Sequence, residues 1–536
     1  MLKFFGGKPD HPMSDLKEAR KILDEIPAND VHKALEELGN WLDSVSSTEG
    51  FKPENRAQLL FLIDETAQVH VRKLVRDYLS AARLTKFQEG RLWGAIHGYW
   101  RQAALAFAVC VEAYGSGAKG TDAYKGSIAL LTVRALRALA QQMRWQYMRY
   151  GPFEDSLWGA VAKIYALAEN KKYARNKVTA YPAIPGETSP EQEFLRAVML
   201  ASSSPDSLLP MEIELAERLI AHFSASFTLV LDQQPDIAYW IDLATSQPPL
   251  RIARPPQRAP TLRFFAAGKA LQELEELIAK IKATNSVPSS VNLGGTYEAP
   301  MVLDVLHHLA LYWSTKPPER RHPRHRVKTR LAVAYGLDGV LGALGASVSL
   351  DFDEAPTESW IVENVSAGGF GASVPQIKGE WLKIGCLLAL QPEGGDNWIL
   401  GIVRRFNRES PQQGSVGIQA LARNMESVQL RAPGGNEGGD ICVLLDPQGI
   451  PTASEASVLL RNGVTVPGQN LEFEYQGKQI MLLPQGVLER GDDYELARFK
   501  VMLRDTGSNS RTTMAWGTAR RPRHRARFRP SGSFPG

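Results

Sequence analysis

The chain has 536 residues, 44% of them hydrophobic and 22% charged, a net charge of +4 and three cysteines. That length exceeds what one core usually organises, so two to four domains are expected, and the composition is that of an ordinary globular protein. Cys110, Cys386 and Cys442 are far apart in apolar contexts, which excludes a disulfide scaffold or a CxxC zinc or redox site and suggests a reducing, cytoplasmic setting. The first residues lack the apolar run of a signal peptide, and the longest apolar run, Ala103 to Val111, ends at Glu112, so no membrane-spanning segment is expected.

Residues 1–13 read as an extension. From 14 to 246 the pattern is helical. Leu16, Ala19, Ile22, Leu23 and Ile26 mark one helix face; Val31, Ala34, Leu35, Leu38, Trp41, Leu42 and Val45 mark the next. Further helices are predicted at about 55–82, 90–114, 122–149, 155–170, 190–203 and 211–230, with Ser189-Pro190-Glu191-Gln192 as a capped start. The pentad Leu92-Trp93-Gly94-Ala95-Ile96 echoes in Leu157-Trp158-Gly159-Ala160-Val161. The module is therefore expected to be a bundle of helical hairpins or a solenoid. Its tryptophans are expected to pack in the core.

Residues 247–262 are proline-rich and predict an extended linker. Connecting helices are expected within 263–314, one over about 262–284 and one over 304–313. Next comes Arg320-Arg321-His322-Pro323-Arg324-His325-Arg326. Pro323 favours a strap over a helix, and arginines held this way present planar donor forks suited to phosphate oxygens and the O6/N7 edge of guanine. Short strands are predicted from Leu331, and Asn364-Val365-Ser366-Ala367-Gly368-Gly369 reads as a turn between two of them. Gly368, Gly369 and Gly371 would let a ligand or another strand approach the backbone.

Arg320-x-x-x-Arg324 followed by Asn364-x-Ser366-x-x-Gly369 resembles the signature of the PilZ family of bacterial cyclic di-GMP receptors. Arg326-x-x-x-Arg330 also satisfies the first element, but Arg330 falls inside the first strand pattern. The resemblance implies a six-stranded antiparallel β-barrel over about 315–425 that binds cyclic di-GMP. Arg320 and Arg324, with Arg321 assisting, would hold guanine and phosphate; Asn364, Ser366 and Gly369 would bind from the barrel. Beyond it, the glycine-rich stretch 431–440 reads as a joint and 441–505 as a second small β unit, either a degenerate copy of the barrel or padding strands. The tail 506–536 is basic and expected to be disordered.

No HExxH, Walker A, GxSxG or EF-hand pattern occurs, so neither an enzyme nor a metal site is expected, and no cofactor beyond the ligand. The two Gly-Gly-Asp tripeptides, at 394–396 and 438–440, do not continue as the motif of cyclases that make cyclic di-GMP. Residues 316–330 carry seven Lys/Arg against one Glu, and 518–536 six Arg and no acid, so net basic charge is concentrated in two short places. Local anion sites are thus expected rather than a nucleic-acid surface. The expectation is a cytoplasmic multidomain α plus β effector. Its protein partner would be reached through the helical module or the C-terminal β unit, with effects on motility or biofilm. The alternatives are a protein-interaction scaffold whose barrel has lost the ligand and a nucleic-acid binder using strap and tail.

Overall fold

The computed structural model describes residues 9–80, 84–316, 322–346, 357–379, 381–433, 439–450 and 452–503. Arg320, Arg321 and the basic tail lie outside them.

Eight helices open the fold: α1 Leu16–Asp24, α2 Val31–Ser47, α3 Pro53–Ser80, α4 Lys86–Gly115, α5 Ile128–Tyr147, α6 Ser156–Asn170, α7 Pro190–Ser202 and α8 Pro210–Phe223. Local chemistry sets their starts. The Asp15 carboxylate accepts from the Lys17 and Glu18 amides, and Thr85 and Gln88 form a reciprocal capping box. Ser189 caps α7 as expected, but the Gln192 side chain accepts from Lys177 Nζ instead of reaching back. Helix α4 packs against α2, α3, α5 and α6, so the module is a bundle and not a stack whose repeats touch only their neighbours. The echoing pentads lie in α4 and α6, helices of 30 and 15 residues. Trp100, Trp145 and Trp158 are buried, as expected of core residues.

The helical pattern stops earlier than the sequence suggests. Strands β1 Thr228–Val230, β2 Tyr239–Asp242, β3 Leu250–Arg251 and β4 Leu262–Ala266 form a sheet in the order β1-β4-β2-β3. The proline-rich stretch is therefore no mere linker: β3 lies within it and β4 starts at its end. The expected helix from 262 begins only at α9 Lys269–Thr284, because Gly268 at φ +57° breaks the chain between strand and helix. Every residue of β4 is buried, with Phe265 in the helical core and Phe264 in a separate cluster with Ile237. The next helix, α10 Ala299–Trp313, starts five residues before the expected 304 and ends on a buried tryptophan of the same helical core.

Strands β5 His325–Tyr335, β6 Glu358–Ser366, β7 Gly369–Val374, β8 Leu387–Pro392, β9 Ile399–Arg408 and β10 Gly414–Ala422 close into the expected antiparallel barrel, in the order β10-β7-β6-β5-β8-β9, with helix α11 Gly336–Ala343 after β5. Leu331, Val333, Trp360, Val362, Phe370, Val403, Phe406 and Ile418 fill it. Strand β5 begins six residues ahead of the expected Leu331, because its first half is exposed and has no apolar alternation to betray it. Trp381 is not in a strand; its ring stacks on Tyr335 at 3.8 Å.

The second β unit is β11 Met425–Leu430, β12 Asp440–Leu445, β13 Glu455–Arg461, β14 Leu471–Tyr475, β15 Lys478–Arg490 and β16 Tyr494–Leu503. Its order is β11-β12-β13-β16-β15-β14, and a backbone bridge between Arg431 and Glu472, at 2.9 and 2.8 Å, joins the two edges. Counted from its own first strand, each unit runs 1-2-3-6-5-4 and returns to 1. The second unit therefore repeats the barrel's topology rather than padding it. It starts at Met425, and the glycine-rich stretch expected as a joint lies inside it, between β11 and β12.

Apolar side chains seal the two β units together. Leu337 and Val340 of α11 and Leu400 and Ile402 of β9 pack with Val443, Leu459 and Tyr494. At the edge of this seam Arg404 forks onto Glu489 with both contacts at 2.6 Å, and Tyr494 Oη donates to Gly385 O at 3.0 Å. The helical module meets the first barrel through Tyr150, whose ring enters the barrel core 5.4 Å from Phe406. Among the described residues, no helix is long and apolar enough to cross a membrane.

Candidate functional site

The strap and the turn, some forty residues apart in sequence, meet at one end of the first barrel. Strand β5 pairs with β6 so that His325 faces Val365 and Arg326 faces Asn364. His322 lies over the hairpin turn: a Cβ built on Gly368 would come 3.3 Å from its Cδ2. Arg324 is exposed just ahead of β5. Arg320 and Arg321 lie outside the described residues.

Hairpin β6–β7 is built for close approach. Ser366 pairs with Gly369 across a two-residue loop, and the Ser366 hydroxyl donates to Gly369 O at 3.3 Å. Gly369 has φ +153°, and a Cβ there would lie 1.9 Å from Ile418 O on β10. The turn is locked onto β10 as well, since the Ala420 amide donates to Gly368 O at 3.0 Å. Only glycine fits this crossing of three strands.

Asn364 stands two residues before Ser366 on β6, and its carboxamide lies flat on Gly371, where a Cβ would meet Nδ2 at 2.5 Å. The glycine expected to admit a ligand or a strand in fact admits this side chain. Asn364 Oδ1 is buried and has no hydrogen-bond partner among the described residues. A buried unpaired acceptor costs about 1–3 kcal/mol.

A run of cations lies along and just ahead of the strand that faces Asn364. Arg324, Arg326, Lys328 and Arg330 are all exposed, and none makes an ion pair among the described residues. Both arginines of the alternative pattern, Arg326 and Arg330, lie within β5, and Arg326 is directly opposite Asn364. Its place at the site depends on a strand register, with a bulge between Arg326 and Thr329, that no local pattern announces. No cluster of His, Cys, Asp and Glu able to hold a metal occurs among the described residues.

Residues 17–235 match the family described as "Cyclic-di-GMP receptor FimW, N-terminal domain". The match covers about two-fifths of the chain, from α1 through β1, and stops well before the strap and the barrel. No curated protein matches the chain. The similarity thus falls on the helical module, in which no chemical motif stands out.

Proposed function

We propose that the chain is a cyclic di-GMP receptor whose ligand is held between the arginine strap and the β6–β7 hairpin. The carrying observation is the convergence of the two motif halves, with Arg326 opposite Asn364 and His322 over Gly368. The similarity of residues 17–235 to the N-terminal domain of a cyclic di-GMP receptor supports the same reading from a separate part of the chain. Arg324, with Arg320 and Arg321, would take guanine and phosphate; Asn364, Ser366 and Gly369 would form the barrel side. The protein would read the messenger in the cytoplasm without making or degrading it. Ligand on the strap would change how the helical module or the second β unit meets a protein partner, with motility or biofilm formation as the output.

The test is calorimetric titration of cyclic di-GMP into the full chain, beside Arg324→Ala and Ser366→Ala. Micromolar or tighter binding is expected, weakened about ten- to a hundredfold by loss of one bidentate arginine. Absence of binding to the unaltered chain would overturn the reading and leave the ligand-free scaffold in its place.

A further inference from the structure

Strand register extends the site beyond the motif. Arg326 on β5 is opposite Asn364 on β6, Asn364 opposite Gly371 on β7, Gly371 opposite Gly417 on β10, and Gly417 opposite Arg405 on β9. Directly opposed residues of antiparallel strands point to the same face of a sheet. Phe370, Val416 and Ile418, the sequence neighbours of the two glycines, point into the barrel, so this row lies on its outside.

The two glycines let the side chains beside them lie down. Asn364 covers Gly371, and the stem of Arg405 lies along Gly417, whose built Cβ would be 3.2 Å from Arg405 Cβ and 3.7 Å from Cγ. Asn364 and Arg405 thus lie over adjacent, paired backbone positions. The Arg405 fork reaches Tyr312 of α10, its Nη2 donating to Tyr312 Oη at 2.9 Å. Tyr312 is itself held in place: its carbonyl accepts from Tyr239 Oη at 2.6 Å, and its ring lies 4.8 Å from His308. A guanidinium has five N–H donors, and this is the one hydrogen bond Arg405 makes through them among the described residues.

We infer that Arg405, positioned by Tyr312, is a further ligand-binding residue that takes a phosphate or guanine O6/N7 edge of the same dinucleotide on the far side of Asn364. This rests on the cyclic di-GMP reading above. The ligand's chemistry asks for such a group: it has two guanines and two phosphodiesters, whereas Arg324 and Arg326, the strap arginines among the described residues, come to Asn364 from the β5 side. Because Tyr312 belongs to α10, the helical module would then hold part of the ligand surface.

The experiment is titration of cyclic di-GMP into the full chain carrying Arg405→Gln, Arg405→Lys or Tyr312→Phe, with Arg324→Ala alongside and thermal melting of each variant. Expected are a tenfold or greater loss of affinity for Arg405→Gln, partial recovery in Arg405→Lys, which keeps the charge without the fork, and a smaller loss for Tyr312→Phe at an unchanged melting temperature. If Arg405→Gln does not fold, Arg405→Lys decides: weaker binding than that of the unaltered chain supports the inference, and equal binding overturns it. If the unaltered chain binds and Arg324→Ala weakens it while the Arg405 variants bind as tightly as the unaltered chain, the inference falls and the receptor stands. If the unaltered chain does not bind, it is the receptor reading that fails.

Discussion

Gly369 carries two constraints that are separable in principle and coincide here. Its φ of +153° is costly for any other residue, and a Cβ would overlap Ile418 O. Gly369→Ala is therefore expected to destabilise the protein by at least about 2 kcal/mol and to cost binding as well. Urea unfolding checks the first effect, and an unchanged midpoint would refute the account of the three-strand crossing. Ser366→Ala removes only one long hydrogen bond and should leave stability within about 1 kcal/mol. The turn from Asn364 to Gly369 was legible as a turn because a tight turn writes its requirements into consecutive residues. The position of Arg326 opposite Asn364 and that of Arg405 beside Gly417 were not, since they come from pairings across 38 and 12 residues and through two bulges. Periodicity alone does not carry that information.

At the scale of elements, the helical module is tied together by buried ion pairs where α5, α7 and α8 meet. Arg137 forks onto Glu193 at 3.0 and 2.5 Å, and Arg196 bridges Glu193 and Glu217. Burial alone would raise the Glu193 pKa, but Arg137 and Arg196 outweigh it and hold the carboxyl at about 2, against an ordinary value of 4.5. The folded state therefore takes up this proton less readily than the unfolded one. The contribution is complete above about pH 4.5 and is lost as pH falls toward 2, amounting to about 3 kcal/mol. Glu193→Gln should destabilise the protein most at neutral pH, leaving Arg137 without its counter-charge, and the gap to the unaltered chain should narrow below about pH 4. Chemical denaturation at pH 7, 5, 4 and 3.5 reads this, and a constant gap would reject the assignment. The existence of these helices was legible, because each keeps an apolar stripe. Strands β1 to β4 were not: two to five residues long, they hold too few alternations to separate from helix or linker, and tertiary burial decides them.

Across the whole molecule, three folded parts converge on β9. Arg404 joins it to the second β unit through Glu489, Arg405 to α10 through Tyr312, and Arg408 to the end of α5's extension, its amide donating to Tyr150 O at 2.7 Å and its Nε to Arg149 O at 3.1 Å. Arg404 also donates to Gln419, the residue paired with Gly369. The end of α10 is held as well, since Arg251 Nη2 donates to Ser314 O at 2.7 Å. Tyr150 is the apolar anchor of that arrangement. Its ring is buried in the barrel core, while its hydroxyl donates to Leu208 O at 3.0 Å in the helical module. Tyr150→Ala would empty a site in the barrel and cut both ties, at a cost of about 3–5 kcal/mol by analogy with other large aromatic truncations in cores. Tyr150→Phe keeps the ring and loses only the hydroxyl bond. The expected outcome is a single cooperative melt for the unaltered chain and Tyr150→Phe, and for Tyr150→Ala an early transition in which the barrel melts apart from the helical module. Calorimetry distinguishes these, and a single transition merely shifted down in Tyr150→Ala would mean that the polar contacts of β9 suffice to couple barrel and helices.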